Sequence, residues 1–246
     1  MNYKTLLLPL LFFTSCVQYS NGSSDQTNSV SATATENLWP KEDEFYSVFY
    51  PGNLIPELRN IRPLSSDTTL QFCIPVAFTK LKNDSIDGLF IMNGKIVNRS
   101  AVNHTLGGGM LIRNNGISIF KTDNGKLLTE SWSDSIANLQ QSFFQQIQLV
   151  RNGEALELRK NQDLWQRRAI VIFQGGEMAV IESKNEITLQ EFAEDLVKLK
   201  VVDAIYTDMG SFDEGWYRNQ TTKAIVPLGK NRRDTQRQSN WLVFKR

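Results

Sequence analysis

The stretch VDAIYTDMGSFDEGWYR, Val202 to Arg218, sets an apolar run directly before an acid, a glycine, two further acids and an arginine. Carboxylates at the end of a buried strand suit acid–base work, because the strand is a rigid platform and the loop beyond it can line a cleft. Asp208 stands first after the apolar run, and Asp213 and Glu214 follow within the same loop. Charged loops are also commonly solvated, and an aspartate in a turn often bonds its own backbone. The elements around this loop have to decide between the two.

Those elements are mostly short and extended. Four Asn-Gly dipeptides (Asn93-Gly94, Asn115-Gly116, Asn124-Gly125, Asn152-Gly153) lie between short apolar runs, and Asn-Gly suits the two positive-φ positions of a type I′ hairpin turn. A further pair of runs, AIVIFQ and EMAVIES, flanks Gly175-Gly176. Two helices are expected. ITLQEFAEDLVKLK carries Thr188 with Glu191 three residues on, a capping box, and Ile187 and Phe192 are placed for a hydrophobic staple. SDSIANLQQSFFQQI sets Ile136, Leu139, Phe143 and Ile147 on one helical face. Many short strands with few helices predict an α+β fold with mixed or antiparallel sheets.

Composition narrows the function classes. A formal net charge of +1 gives no electrostatic case for nucleic acid. His104 is the only histidine and lies in a turn-rich segment with no nucleophile elbow, which argues against a Ser-His-Asp site. One histidine and one spare cysteine exclude a standard zinc site. No cofactor is firmly implied. Asp208, Asp213 and Glu214 leave room for a divalent cation, but they are too few to assign a metal site. Gly107 to Gly109 lack the lysine and helix of a P-loop and read as a flexible turn.

The N-terminus, MNYKTLLLPLLFFTSC, has one lysine, a short apolar core and small residues before Cys16. That is the layout of a secretory signal, too short to span a bilayer, and it resembles a bacterial lipoprotein signal with Phe13 in a position usually held by leucine. The expectation is cleavage after residue 15 and acylation of Cys16; the alternative is a plain signal peptide. The lipoprotein reading implies export and a lipid anchor in a bacterial membrane, the outer membrane being the expected one, with the protein on its periplasmic or surface side. Residues 16–37 are rich in Ser, Thr, Asn and Gln and read as a flexible tether, with the folded domain running over 38–246. Cys73, in LQFCIPVAFT, is then the remaining cysteine and reads as a buried, inert thiol.

The final third, RRAIVIFQGGEMAVIESKNEITLQEFAEDLVKLKVVDAIYTDMGS, resembles the phosphodiester glycosidase domain family. Arg167 fits the family's strand-opening arginine, Thr188, Glu191 and Ala193 its helix, and Ala204-Ile205 lead to Asp208, Gly210 and Ser211 of its acidic loop. RQSNWLVF resembles the closing strand through Arg237 and Asn240. CIPVAFT occupies the place of an Asn-Gly-Gly-bearing strand end, with Pro75-Val76-Ala77 in place of those three residues, while Tyr206 and Met209 replace an asparagine and a glycine.

The resemblance implies hydrolysis of a sugar-1-phosphate diester. The phosphate monoester leaves easily, so the chemistry asks for a carboxylate at the oxocarbenium-like centre and cations on the phosphate. Asp208 is the first candidate for the carboxylate and Glu214 the second. Arg167, then Arg237 and Arg218, are the candidates for phosphate, since a planar guanidinium matches phosphate oxygens bidentately. Gly210 would let backbone N–H groups approach an anion, with Ser211 and Asn240 completing the substrate-binding set. The implied partners are a glycan or sugar-phosphate ligand and the membrane reached through the anchor. The competing reading is a catalytically silent phosphosugar- or glycan-binding lipoprotein, motivated by the replaced Asn-Gly-Gly. A surface scaffold has no support beyond the anchor.

Overall fold

The structure is a computed structural model and describes residues 40–246 except 114–115 and 159–162. The signal, Cys16 and the whole tether expected above lie outside the described residues. In chain order the strands begin with β1 (Lys41–Glu42), β2 (Tyr46–Phe49), β3 (Ile55–Arg59), β4 (Leu70–Pro75), β5 (Phe90–Met92) and β6 (Lys95–Ile96). The hairpin β7 (Gly108–Arg113) and β8 (Gly116–Lys121) precedes helix α1 (Glu130–Asn138), and β9 (Ser142–Gln146), β10 (Gln148–Arg151) and β11 (Glu154–Ala155) follow it. The last part comprises β12 (Trp165–Phe173), β13 (Met178–Ile187), α2 (Leu189–Lys198), β14 (Val201–Tyr206), β15 (Trp216–Arg218), β16 (Ile225–Pro227) and β17 (Trp241–Lys245).

These strands make a seven-stranded sheet, ordered β1-β2-β13-β12-β14-β10-β11, and two five-stranded sheets, β16-β15-β4-β17-β3 and β6-β5-β9-β7-β8. Every strand pair among the described residues is antiparallel. The expected α+β class therefore holds only as a mixed fold, and the molecule is richer in β structure than that label implies. Period-two alternation sorts the long strands between two cores. Ile170, Val180 and Ile205 face the other two sheets and pack with Phe72, Leu242, Met110 and Phe144. Ala169, Val171, Ile181 and Ala204 point the opposite way, onto Leu189, Phe192, Ala193 and Leu196 of α2. Each fully buried Phe or Leu there contributes about 1.5–3 kcal/mol of transfer free energy.

Helix α2 forms as its sequence dictates. Thr188 accepts from the Glu191 backbone N–H, and the Glu191 carboxylate accepts from the Thr188 N–H, closing the capping box. The other helix is shorter than expected. It ends at Asn138, Gln140 takes a left-handed φ of 55°, and Phe143 belongs to β9 while Leu139 is exposed. The apolar spacing that suggested one long helix is shared between a helix and a strand that bury Ile136 and Phe143 in the same cluster.

Two of the four Asn-Gly pairs form tight hairpin turns, Asn93-Gly94 between β5 and β6 and Asn152-Gly153 between β10 and β11, each with both residues at positive φ. Asn124-Gly125 also has positive φ but turns the chain between β8 and α1. Gly116 lies within β8, paired with Arg113, and Asn115 lies outside the described residues. Gly108 and Gly109 are not a flexible turn either. They belong to β7, and a Cβ on Gly109 would meet the Phe143 ring at 2.4 Å, so close packing selects glycine.

Candidate functional site

Strand β14 ends at Tyr206, and Asp208 follows two residues on, only 2% exposed. One of its carboxyl oxygens, Oδ2, accepts from the Thr79 backbone N–H at 3.0 Å. Burial pushes the Asp208 carboxyl well above the ordinary aspartate range, and the hydrogen bonds from Thr79 and Gln238 pull weakly the other way. Thr79 lies just past β4, and the Thr79 hydroxyl meets that of Ser239 at 3.1 Å. Asn240, fully buried, grips Ala77 from both sides: its Oδ1 accepts from the Ala77 N–H and its Nδ2 donates to the Ala77 carbonyl, each at 2.8 Å. The closing strand thus pins the end of β4 beside the acid.

Adjacent arginines on β12 part company because successive strand residues face opposite sides. Arg167 points to the α2 side. Its guanidinium donates to the Ile187 carbonyl (2.9 Å), the Asp163 carbonyl (2.6 Å) and the Tyr206 hydroxyl (3.0 Å), all uncharged acceptors. It also lies over the Tyr206 ring, 5.9 Å from the centroid. The Tyr206 hydroxyl feels both Arg167 and Asp208, and burial raises its pKa despite the arginine. Tyr206 therefore brings the Arg167 guanidinium to the end of β14, two residues before Asp208 in the chain.

Arg168 points between the sheets and is completely buried. Its Nε donates to Glu182 at 2.6 Å, Nη2 reaches Asp213 at 3.2 Å, and Nη1 donates to the Glu214 carbonyl at 2.7 Å. Asp213 also accepts from the Lys230 N–H at 2.6 Å. One guanidinium faces two carboxyls here, so burial and the neighbouring Asp213 raise the Glu182 carboxyl even against the pull of Arg168. This cluster ties the acidic loop to β12 and β13. Sequence reading passed over Arg168, Glu182, Thr79, Gln238 and Ser239, although alternation along β12 was a usable signal that the two arginines diverge.

The other expected site residues have separate partners. Glu214 is buried, but its Oε1 pairs with Arg62, whose guanidinium lies over Trp241 at 5.2 Å, while its Oε2 has no hydrogen-bond partner among the described residues. Arg218 is turned onto loop carbonyls, donating to Ser65 (2.7 Å), Asp67 (3.2 Å), Lys223 (3.2 Å) and Leu70 (3.3 Å), which makes it a clamp for the chain entering β4. Arg237 reaches outward to Asp84 at 2.8 Å. Gly210 has a φ of 80° with open space where a side chain would stand, so its backbone conformation is what calls for glycine. Ser211 is half-buried, and its carbonyl accepts from the Asp234 N–H. Asp208, Asp213 and Glu214 bind different groups, and no cluster of three or more metal-ligating side chains occurs among the described residues. A separate open groove of about 440 Å³ runs past Arg59, Asn60, Arg62, Leu64 and Asn93.

Residues 75–243, more than half of the chain, match the phosphodiester glycosidase family, and the chain belongs to it. The fold is similar to the catalytic domain of zebrafish N-acetylglucosamine-1-phosphodiester alpha-N-acetylglucosaminidase, auto-inhibited by its pro-peptide. The TM-score is 0.60 at 12% identity, over 82% of this chain and 76% of that one. A hypothetical protein from Synechocystis is similar with a TM-score of 0.52 at 13% identity, over 82% of this chain and 59% of that one. At these identities the likeness is one of fold. Comparison with curated protein sequences finds no match.

Proposed function

We propose that the protein is a hydrolase of sugar-1-phosphate diesters, with Asp208 as its reacting carboxyl and Arg167 as its phosphate-binding cation. The observation that carries this reading is a buried acid just past the end of β14 and, on the neighbouring β12, a buried guanidinium that holds the Tyr206 hydroxyl. Family membership supports the substrate class. A carboxyl whose pKa is raised toward the working pH is a stronger base once ionised, which suits activation of water at the anomeric carbon. That water loses a proton to Asp208 as its oxygen bonds the anomeric carbon, the bond from that carbon to the phosphate oxygen breaks, and the phosphate monoester departs with the bonding electrons. A cation at Arg167 offsets the charge on the departing group. The test is incubation of residues 38–246 with a panel of sugar-1-phosphate diesters, read as release of phosphate monoester. Saturable turnover above an Asp208→Ala control supports the proposal; none above it across the panel sinks it.

A silent binding protein is the second reading. It draws on Pro75-Val76-Ala77, of which Val76 and Ala77 are fully buried and present no side chain to a ligand. Calorimetric binding of a sugar phosphate without product would favour it. We also propose that Cys16 is acylated and holds the protein in a bacterial membrane, on the strength of the signal layout before it. Expressed in a bacterial host, the full chain is expected in the membrane fraction and the Cys16→Ser variant in the soluble fraction. Equal partition of the two would refute the anchor.

A further inference from the structure

A phosphate-binding arginine has to be held in one orientation, and β13 carries an irregularity at the level of Arg167. Gln166 pairs with Glu186 and Arg168 with Glu182, so Ser183, Lys184 and Asn185 stand opposite Arg167 alone. We propose that Ser183, at the entry to this bulge, is the positioning residue of Arg167. Ser183 is 1% exposed and acts only through the arginine, so the inference rests on the role given to Arg167.

Bulges interrupt the ladder and re-aim a side chain. In a regular antiparallel pair the Arg167 N–H would donate to a backbone carbonyl of β13. Here it donates to Ser183 Oγ at 2.8 Å, and that hydroxyl donates onward to the Asn185 carbonyl at 2.7 Å. One buried hydroxyl thus satisfies a donor on β12 and spans the bulge, spending its only proton in doing so. Gln166 fastens the same end, its Nε2 donating to the Ser183 carbonyl at 2.9 Å and to Glu182 at 3.0 Å. Lys184, at the crown, is tied outward: its N–H donates to the Phe45 carbonyl at 2.8 Å and its ammonium to the Asp43 carbonyl at 2.6 Å.

The exit of the bulge meets the head of the arginine. Ile187, two residues past Asn185, accepts from Arg167 Nε at 2.9 Å. The backbone of Arg167 is therefore held where the bulge begins and its guanidinium just beyond where it ends. A slip of one residue in β13 would carry the Ile187 carbonyl about 3.3 Å along the strand and release Nε.

The Arg167 Nε–H reports on this without substrate. Its resonance in the ¹⁵N-labelled protein is assigned by its loss in Arg167→Lys. Its hydrogen exchange is expected to be slow in the wild type and at least about tenfold faster in Ser183→Ala, where a buried N–H and a buried carbonyl lose their shared partner. Ser183→Thr restores the hydroxyl and should restore the rate. The backbone amides of β7, in another sheet, should keep theirs, which separates a loosened arginine from a weakened fold. Ser183→Cys fills the site with a poor acceptor and should show the same acceleration, which keeps the test open if Ser183→Ala melts early. With a substrate found in the panel, the loss in Ser183→Ala should fall on KM, raised about tenfold, more than on kcat. Unchanged Arg167 exchange in both Ser183→Ala and Ser183→Cys, or equal acceleration in β7, would overturn the assignment. A loosened Arg167 in a protein that hydrolyses no sugar phosphate would uphold the positioning and sink the hydrolase reading.

Discussion

Arg168→Met is expected to cost about 3–5 kcal/mol of stability, because it removes the cation from a buried cluster and strands two carboxyls. Glu182 and Asp213 lose their shared guanidinium, and the Glu214 carbonyl loses a donor. The loss should depend on pH in a definite direction. Burial and Asp213 already raise the Glu182 carboxyl in the folded state, and removing Arg168 removes the opposing pull. An acid whose folded pKa lies above its unfolded one contributes stability at pH below the unfolded value and loses it as pH rises through the folded one. The deficit of Arg168→Met should therefore shrink on acidification, as urea unfolding at several pH values would reveal. A deficit under about 1 kcal/mol, or one that grows toward acid, would show that the cluster does not hold the loop.

Asp208→Asn is expected to lower kcat by about 10²–10⁴-fold while leaving the fold intact. Asparagine fills the same space and still accepts from the Thr79 N–H, so the environment of Asp208 is kept and only its basicity is removed. The same substitution should flatten the stability profile. Wild-type Asp208, with its carboxyl raised by burial, loses stability as pH climbs through its folded pKa, and the amide has no proton to lose. Initial rates with a substrate found in the panel, together with melting temperatures across pH, check both halves. Undiminished kcat would remove Asp208 from the chemistry.

How far residues could be read from the chain followed how local their causes are. The α2 capping box was plain because Thr188 and Glu191 satisfy each other within one turn. Asp208 stood out because an apolar strand led to it. What lay hidden depended on pairings remote in sequence. Thr79 reaches Asp208 across 129 positions and Asn240 holds Ala77 across 163, and no local pattern announces such contacts. Arg218 and Arg237 looked suited to phosphate by residue type, yet loop carbonyls and Asp84 absorb their donors. The helix expected through Phe143 failed because an apolar spacing of three or four also arises when a short helix and the next strand share a core.

The central claim is that the sugar's anomeric centre meets Asp208, and a crystal structure of Asp208→Asn with an uncleaved sugar-1-phosphate diester tests it most directly. The account predicts the anomeric carbon against the side chain of residue 208 and phosphate oxygens within hydrogen-bonding distance of the Arg167 guanidinium. A ligand seated elsewhere, such as the groove beside Arg59 and Arg62, with residue 208 untouched, would contradict it.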